Sequence, residues 1–162
     1  MVRRCDGYTL TEVMLVVAIL GIISSTAALV TQKTFQTQMM VDALATIQQG
    51  AFTSFDVISK LLRQGSAASV VIDRFDANQP PWSRIAFTNP NTGRSFTFYQ
   101  KGQTLYFGNS PKLTNLRALT FTYPNSTSRK VISVSMTFEK NTGSGRSKAI
   151  QLFIQKIHIQ ND

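Results

Sequence analysis

Apolar residues follow different periods in successive parts of this chain. From Val13 to Gln32 (VMLVVAILGIISSTAALVTQ) no charged residue occurs. A helix of about 20 residues spans the roughly 30 Å hydrocarbon core of a bilayer. Further on the pattern thins to a stripe, with Met40, Leu44, Ile47, Ala51, Phe55, Ile58 and Leu62 recurring at steps of three and four. That is one face of an amphipathic helix. Asp42, Gln48, Gln49, Ser54, Lys60 and Arg63 fill its other faces, no proline occurs before Pro80, and Gly65 stands where a helix C-cap belongs. The spacing predicts one helix from about Thr9 to Gln64, with Gly21 and Gly50 as weak points at which it bends or melts.

After Ser66 the period falls to two and β-formers dominate. Ser69–Phe75 reads as a strand or an irregular edge; expected strands are Arg84–Thr88 with Ile85 and Phe87 on one face, Ser95–Gln100 with Phe96 and Phe98, and Thr104–Phe107 with Leu105 and Phe107. Lys101-Gly102-Gln103 reads as a hairpin link. Leu119, Phe121 and Tyr123 mark the next strand, then Ile132, Val134, Met136 and Phe138, then Ile150, Leu152 and Ile154. Asn141–Ser147 (NTGSGRS) is the loop between the last two, and Asn78–Pro81 and Asn89–Gly93 are turns by composition. The expected fold is α+β: a long N-terminal helix, transmembrane in its first half, whose second half packs on an antiparallel sheet. The segments are a short leader at 1–7, a membrane helix at 8–32, an amphipathic half at 33–65 and a sheet domain at 66–162.

Composition narrows the function classes. The 162 residues include a single cysteine, Cys5, and a single histidine, His158. An internal disulfide and a Cys/His metal cluster are therefore excluded. The chain carries 17 Lys and Arg against 8 Asp and Glu, for a formal net charge of +9. Twelve of those cations and four of the acids follow residue 65. A basic excess suits nucleic acid or an anionic surface. The cations are dispersed, however, which also reads as plain solvation. Nothing resembles a nucleophile elbow, a zinc-protease helix or a P-loop. His158 lies on the outward face of a strand, without a candidate nucleophile beside it. The chain reads as non-enzymatic, with no cofactor.

The start of the apolar run carries the most specific feature. Arg3-Arg4 precede it and Lys33 follows it, which favours a cytoplasmic N-terminus. A secretory signal peptide has a shorter apolar region ending at a small-x-small cleavage site. The stretch SSTAA keeps that alternative open, and a plain membrane anchor is a second. Neither accounts for Glu12, an acid at the edge of a bilayer segment, where it is costly and usually functional.

Gly7-Tyr8-Thr9-Leu10-Thr11-Glu12, directly before the uncharged run, resembles the type IV prepilin signature Gly-Phe-Thr-Leu-x-Glu. Tyr8 replaces the usual Phe and keeps the aromatic character. The resemblance implies that a membrane prepilin peptidase cuts between Gly7 and Tyr8 and methylates the new amine of Tyr8. It implies that Glu12 pairs with the amine of a neighbouring subunit during filament assembly. The partners it implies are other pilin or pseudopilin subunits, packed helix to helix, the peptidase and the inner membrane. The implied location is the bacterial inner membrane, single-pass, with the C-terminal domain outside the cytoplasm, and then a filament. Unpaired in an apolar bundle, Glu12 would cost several kcal/mol or take up a proton. A simple charge at the helix N-terminus is the plainer alternative.

Without a disulfide, the chain resembles minor subunits: the J-type pseudopilin of type II secretion or the W-type minor pilin. Leu61-Leu62-Arg63-Gln64-Gly65, Leu119-x-Phe121-x-Tyr123 and the ending Ala149–Asp162 carry that likeness. An alternative is a DNA-uptake minor pilin. Lys140, Arg146 and Lys148 would converge at one hairpin tip as a phosphate-contacting finger, with a solvated loop as the simpler reading. Trp82, Tyr99 and Tyr106 could stack on bases, although aromatics in strands more often line a core or rim. Asp73 and Asp76 flank Arg74, but Ca²⁺ takes about six to eight oxygens, so a surface charge pair is the better reading. Asn125-Ser126-Thr127 matches a glycosylation sequon and carries little weight.

Overall fold

The computed structural model describes residues 8–125, 129–142 and 147–161. Helix α1 runs unbroken from Leu10 to Arg63. Its residues up to Met39 form one compact unit, and Met40 onward belongs to a second unit that holds all the strands. In the first unit the large apolar side chains from Val13 to Val30 are 48 to 66% exposed. The helix is long and apolar enough to cross a membrane, and its serines and threonines bond back to their own backbone, as Thr26 does to Ile23 O at 2.8 Å. Such back-bonding would satisfy the hydroxyls of a helix that lies in a bilayer.

In the second unit the stripe of α1 is the inner face. Ile47, Ala51, Phe55, Ile58 and Leu62 are buried, with Ala43, Ser54 and Ser59 beside them. Each fully buried Ile or Leu contributes roughly 1.5–3 kcal/mol. Gly50 is no weak point: a Cβ there would lie 2.3 Å from Leu113 Cδ1. Glycine lets the incoming leucine touch the helix backbone. Gly65 ends the helix, but not by a left-handed turn. Positive φ occurs at Gly93, Gly102 and Gly108, whereas a Cβ on Gly65 would meet Phe87 Cδ2 at 2.7 Å.

A short 3-10 turn at Ala67–Ser69 leads to strand β1 (Val71–Asp73), so the expected strand 69–75 is shorter and starts later. Then come β2 (Arg84–Thr88), β3 (Ser95–Lys101), β4 (Thr104–Phe107) and β5 (Ser110–Leu113). They form one antiparallel sheet in the order β1-β2-β3-β4-β5. Strand β5, Ser-Pro-Lys-Leu, is not among the expected strands, because a proline demotes a run from strand to edge; an edge is where it lies. Strands β6 (Leu116–Thr122), β7 (Val131–Thr142) and β8 (Ser147–His158) form a second antiparallel sheet.

The β-layer is thus two sheets rather than one. Gln100, 3% exposed, joins them. Its Nε2 donates to Arg117 O at 3.2 Å and to Gly102 O at 2.8 Å. Its Oε1 accepts from Leu119 N at 2.8 Å. Phe121 N also donates to Trp82 O at 2.9 Å, which holds Trp82 in the left-handed region at φ 59°. The core between α1 and the sheets is built from Ile85, Phe87, Phe98, Leu105, Leu119, Phe121, Ile132, Val134, Met136 and Phe138, the inward faces the alternation indicates.

One strand departs from the alternation. Ile150, Leu152 and Ile154 are expected to face the core, yet they are 52, 57 and 63% exposed. The inward face of β8 carries Ala149, Phe153 and Ile157 instead. The β7–β8 ladder is continuous from Val131↔His158 to Thr142↔Ser147, without a bulge. Parity therefore cannot change along it. Once Ile157 lies inside, opposite Ile132, every even-numbered residue of β8 lies outside.

Candidate functional site

Thr9 and Glu12 sit at the start of α1. The Glu12 backbone N–H donates to Thr9 Oγ1 at 3.3 Å and to Thr9 O at 3.1 Å. Thr9 thus acts as the N-cap, and Glu12 occupies the third helical position, as in a Thr-x-x-Glu capping box. A carboxylate there complements the positive end of the helix. Tyr8, 82% exposed, directly precedes the cap. A free amine on Tyr8 would stand about one turn from Glu12. Gly7 and Cys5 lie outside the described residues. The apolar surface that follows leaves Glu12 as the first charge of a helix otherwise uncharged until Lys33.

Residues 2–28 match the prokaryotic N-terminal methylation motif. The methylation motif supports a type IV pilin-like protein, and its span covers both Tyr8 and Glu12. Such a motif implies processing by prepilin peptidase and assembly with other pilins. With the apolar helix it suggests a single-pass membrane anchor. No curated protein matches the chain, and no solved structure does.

The basic finger is arranged differently from the expectation. Lys140 stands opposite Ala149 and Lys148 opposite Asn141. Successive positions on a strand alternate faces, so the two lysines fall on opposite faces of the hairpin. Arg146 lies outside the described residues. Lys148 Nζ donates to Glu139 Oε1, and Arg117 approaches Glu139 Oε2 at 3.2 Å. The hydrogen bond from Lys148 is the main reason that the Glu139 carboxyl titrates below its ordinary value. One of the expected phosphate contacts is therefore held by a carboxylate of its own sheet.

Two of the three aromatic candidates, Tyr99 and Tyr106, face each other, whereas Trp82 is exposed at 56%. Tyr99 stacks on Tyr106 at 5.3 Å between centroids, and Phe75 stacks on Tyr99 at 4.4 Å. Lys101 Nζ lies 5.6 Å from the Phe75 centroid. Tyr99 and Tyr106 are a cross-strand pair of β3 and β4, and Phe75, in the bend after β1, lies over Tyr99. Asp73 pairs with Arg84, whose own pKa is raised chiefly by that hydrogen bond. Asp76 Oδ1 accepts from Asn78 N at 2.7 Å as a turn closure. No group of three potential metal ligands occurs among the described residues. His158 is exposed on β8. The sequon Asn125-Ser126-Thr127 falls partly outside the described residues.

Proposed function

We propose that this chain is a minor pilin or pseudopilin, a non-enzymatic structural subunit of a type IV pilus or type II secretion filament. The observation that carries the reading is the methylation motif at residues 2–28 directly before a helix long enough to cross a membrane. In this reading the peptidase cuts between Gly7 and Tyr8 and methylates Tyr8, and Glu12 receives the amine of a neighbouring subunit. The helix segment 8–32 first anchors the chain in the inner membrane, with the N-terminus cytoplasmic and the sheet domain outside, and later packs in the filament. The likeness to J-type and W-type subunits supports a role in a tip or initiation complex. A DNA-uptake role has less support, because Lys148 is paired with Glu139 and Lys140 lies on the other face.

Intact-mass analysis of the chain from membranes that contain its own peptidase tests the reading. The expected mature protein starts at Tyr8 and carries one extra methyl. Retention of Met1, or a start near Thr31, overturns it. Glu12→Ala is expected to be processed normally and to be lost from sheared filaments or from pull-downs with the other subunits.

A further inference from the structure

Strand β8 inverts the usual economy of a sheet. Its exposed face carries Ile150, Leu152 and Ile154, while Gln151 and Gln155 point to the half-buried side. On the outward face of the neighbouring strand, the residues opposite Leu152 and Ile154 are Thr137 and Ser135. The apolar stripe is therefore confined to one strand, and that strand is the edge of its sheet. Among the described residues, β8 makes no main-chain hydrogen bond beyond those to β7 between Ser147 and His158. Alternate N–H and C=O groups of a long strand thus remain open on its outer edge. Soluble proteins normally blunt such an edge with proline, bulges or charged side chains, lysine above all; β8 has neither proline nor bulge over this span, and its lysines, Lys148 and Lys156, stand only at the two ends of the stripe.

We propose that β8 is a docking edge for an extended segment of another protein, added as a further antiparallel or parallel strand with acidic residues flanking an apolar centre. The open backbone edge selects an extended partner, since only a strand satisfies a row of alternating donors and acceptors. The stripe's confinement to the edge strand selects the same geometry. An added strand meets the side chains of β8 first, whereas a partner lying flat on the sheet would meet the serine and threonine face of β7. Charge selects the partner's ends. Lys148 and Lys156 bracket the stripe on the outward face; Lys156 has no ion-pair partner among the described residues, and at the other end Lys148 and Arg117 share the single carboxylate of Glu139, which leaves that end positive as well.

The same charges disfavour a second copy. Antiparallel self-pairing that matches the apolar residues centres on Leu152 and sets Ile150 against Ile154. It also sets Lys148 against Lys156, like charges directly opposite, which destabilise a pair. This docking edge does not depend on the filament reading. It rests on the β7–β8 hairpin alone.

Fluorescence anisotropy tests it, with the full chain in detergent micelles and a labelled peptide of about ten residues that alternates Val and Thr between terminal glutamates. The expected result is saturable binding. Exchanging the terminal glutamates for lysines weakens binding roughly fivefold at low salt, and prolines at alternate central positions abolish it. The double variant Ile150→Thr, Ile154→Thr binds at least roughly fivefold more weakly. Its melting temperature stays unchanged, because both side chains are already exposed. No binding, binding indifferent to proline or to end charge, or full binding by the double variant would overturn the proposal. Efficient Leu152→Cys crosslinking of the chain to itself would assign the edge to a second copy and overturn it equally.

Discussion

Gly65 shows how one missing methyl can close a helix against a sheet. A Cβ there would lie 2.7 Å from the Phe87 ring and 3.3 Å from Leu62 O. Phe87 is 2% exposed and stacks on Phe98 at 6.4 Å, so the ring has nowhere to retreat. Gly65→Ala is expected to destabilise the chain by about 1–3 kcal/mol, as overpacking does. Denaturant melts followed by circular dichroism would show it as a lower midpoint with an unchanged slope. The sequence marks Gly65 as the helix end but not for the right reason. Composition points to a left-handed cap, whereas the cause is the close approach of a residue 22 positions later, which no local pattern contains. Glu12 is the opposite case. Its place in the Thr9-x-x-Glu12 box and its place in the methylation motif are both local, and both are legible in the residues themselves.

At the scale of elements, the second half of α1 and strands β2 to β4 follow their periodicity closely, because one face of each carries the residues that reach the core. Strand β8 does not, because both of its faces contain apolar residues. Its even positions hold Ile150, Leu152 and Ile154, and its odd positions hold Ala149, Phe153 and Ile157. Only the continuous ladder to β7 decides between them. The same ladder separates Lys140 from Lys148 and brings Lys148 to Glu139. Proximity in sequence to a hairpin tip suggests one cationic cluster; the register, not the spacing, assigns the faces. The hairpin should be acid-sensitive in a defined direction. Glu139 has a folded-state pKa below the ordinary 4.5, so the folded chain binds fewer protons than the unfolded one. The stabilisation is present above about pH 4.5 and is lost as pH falls through the lowered value. Glu139→Gln is therefore expected to lower the melting temperature slightly at pH 7 in low salt, and to flatten the acid limb of a plot of melting temperature against pH below about pH 4.5, where variant and parent converge. An unchanged acid limb would contradict the assigned pair.

At the scale of the whole molecule, two sheets share one core with the second half of α1, and Gln100 ties them through two side-chain hydrogen bonds, to Arg117 O and from Leu119 N. Gln100→Leu keeps the volume but leaves Leu119 N and Arg117 O without that partner. A buried, unpaired main-chain group costs about 1–3 kcal/mol. The expected outcome is a loss of that size, with hydrogen exchange accelerating first at Leu119 rather than in α1. By itself, the sequence determined the membrane-length helix, its amphipathic continuation, the α+β class and the motif at Tyr8 and Glu12. Each of these is written in residues a few positions apart, where periodicity and covalent spacing act directly. Only the tertiary structure decided the division into two sheets, the contact that requires Gly65, the outward stripe of β8 and the pairing of Lys148. Those depend on which distant strands share a ladder, and a ladder's register is set by the packing of the whole core.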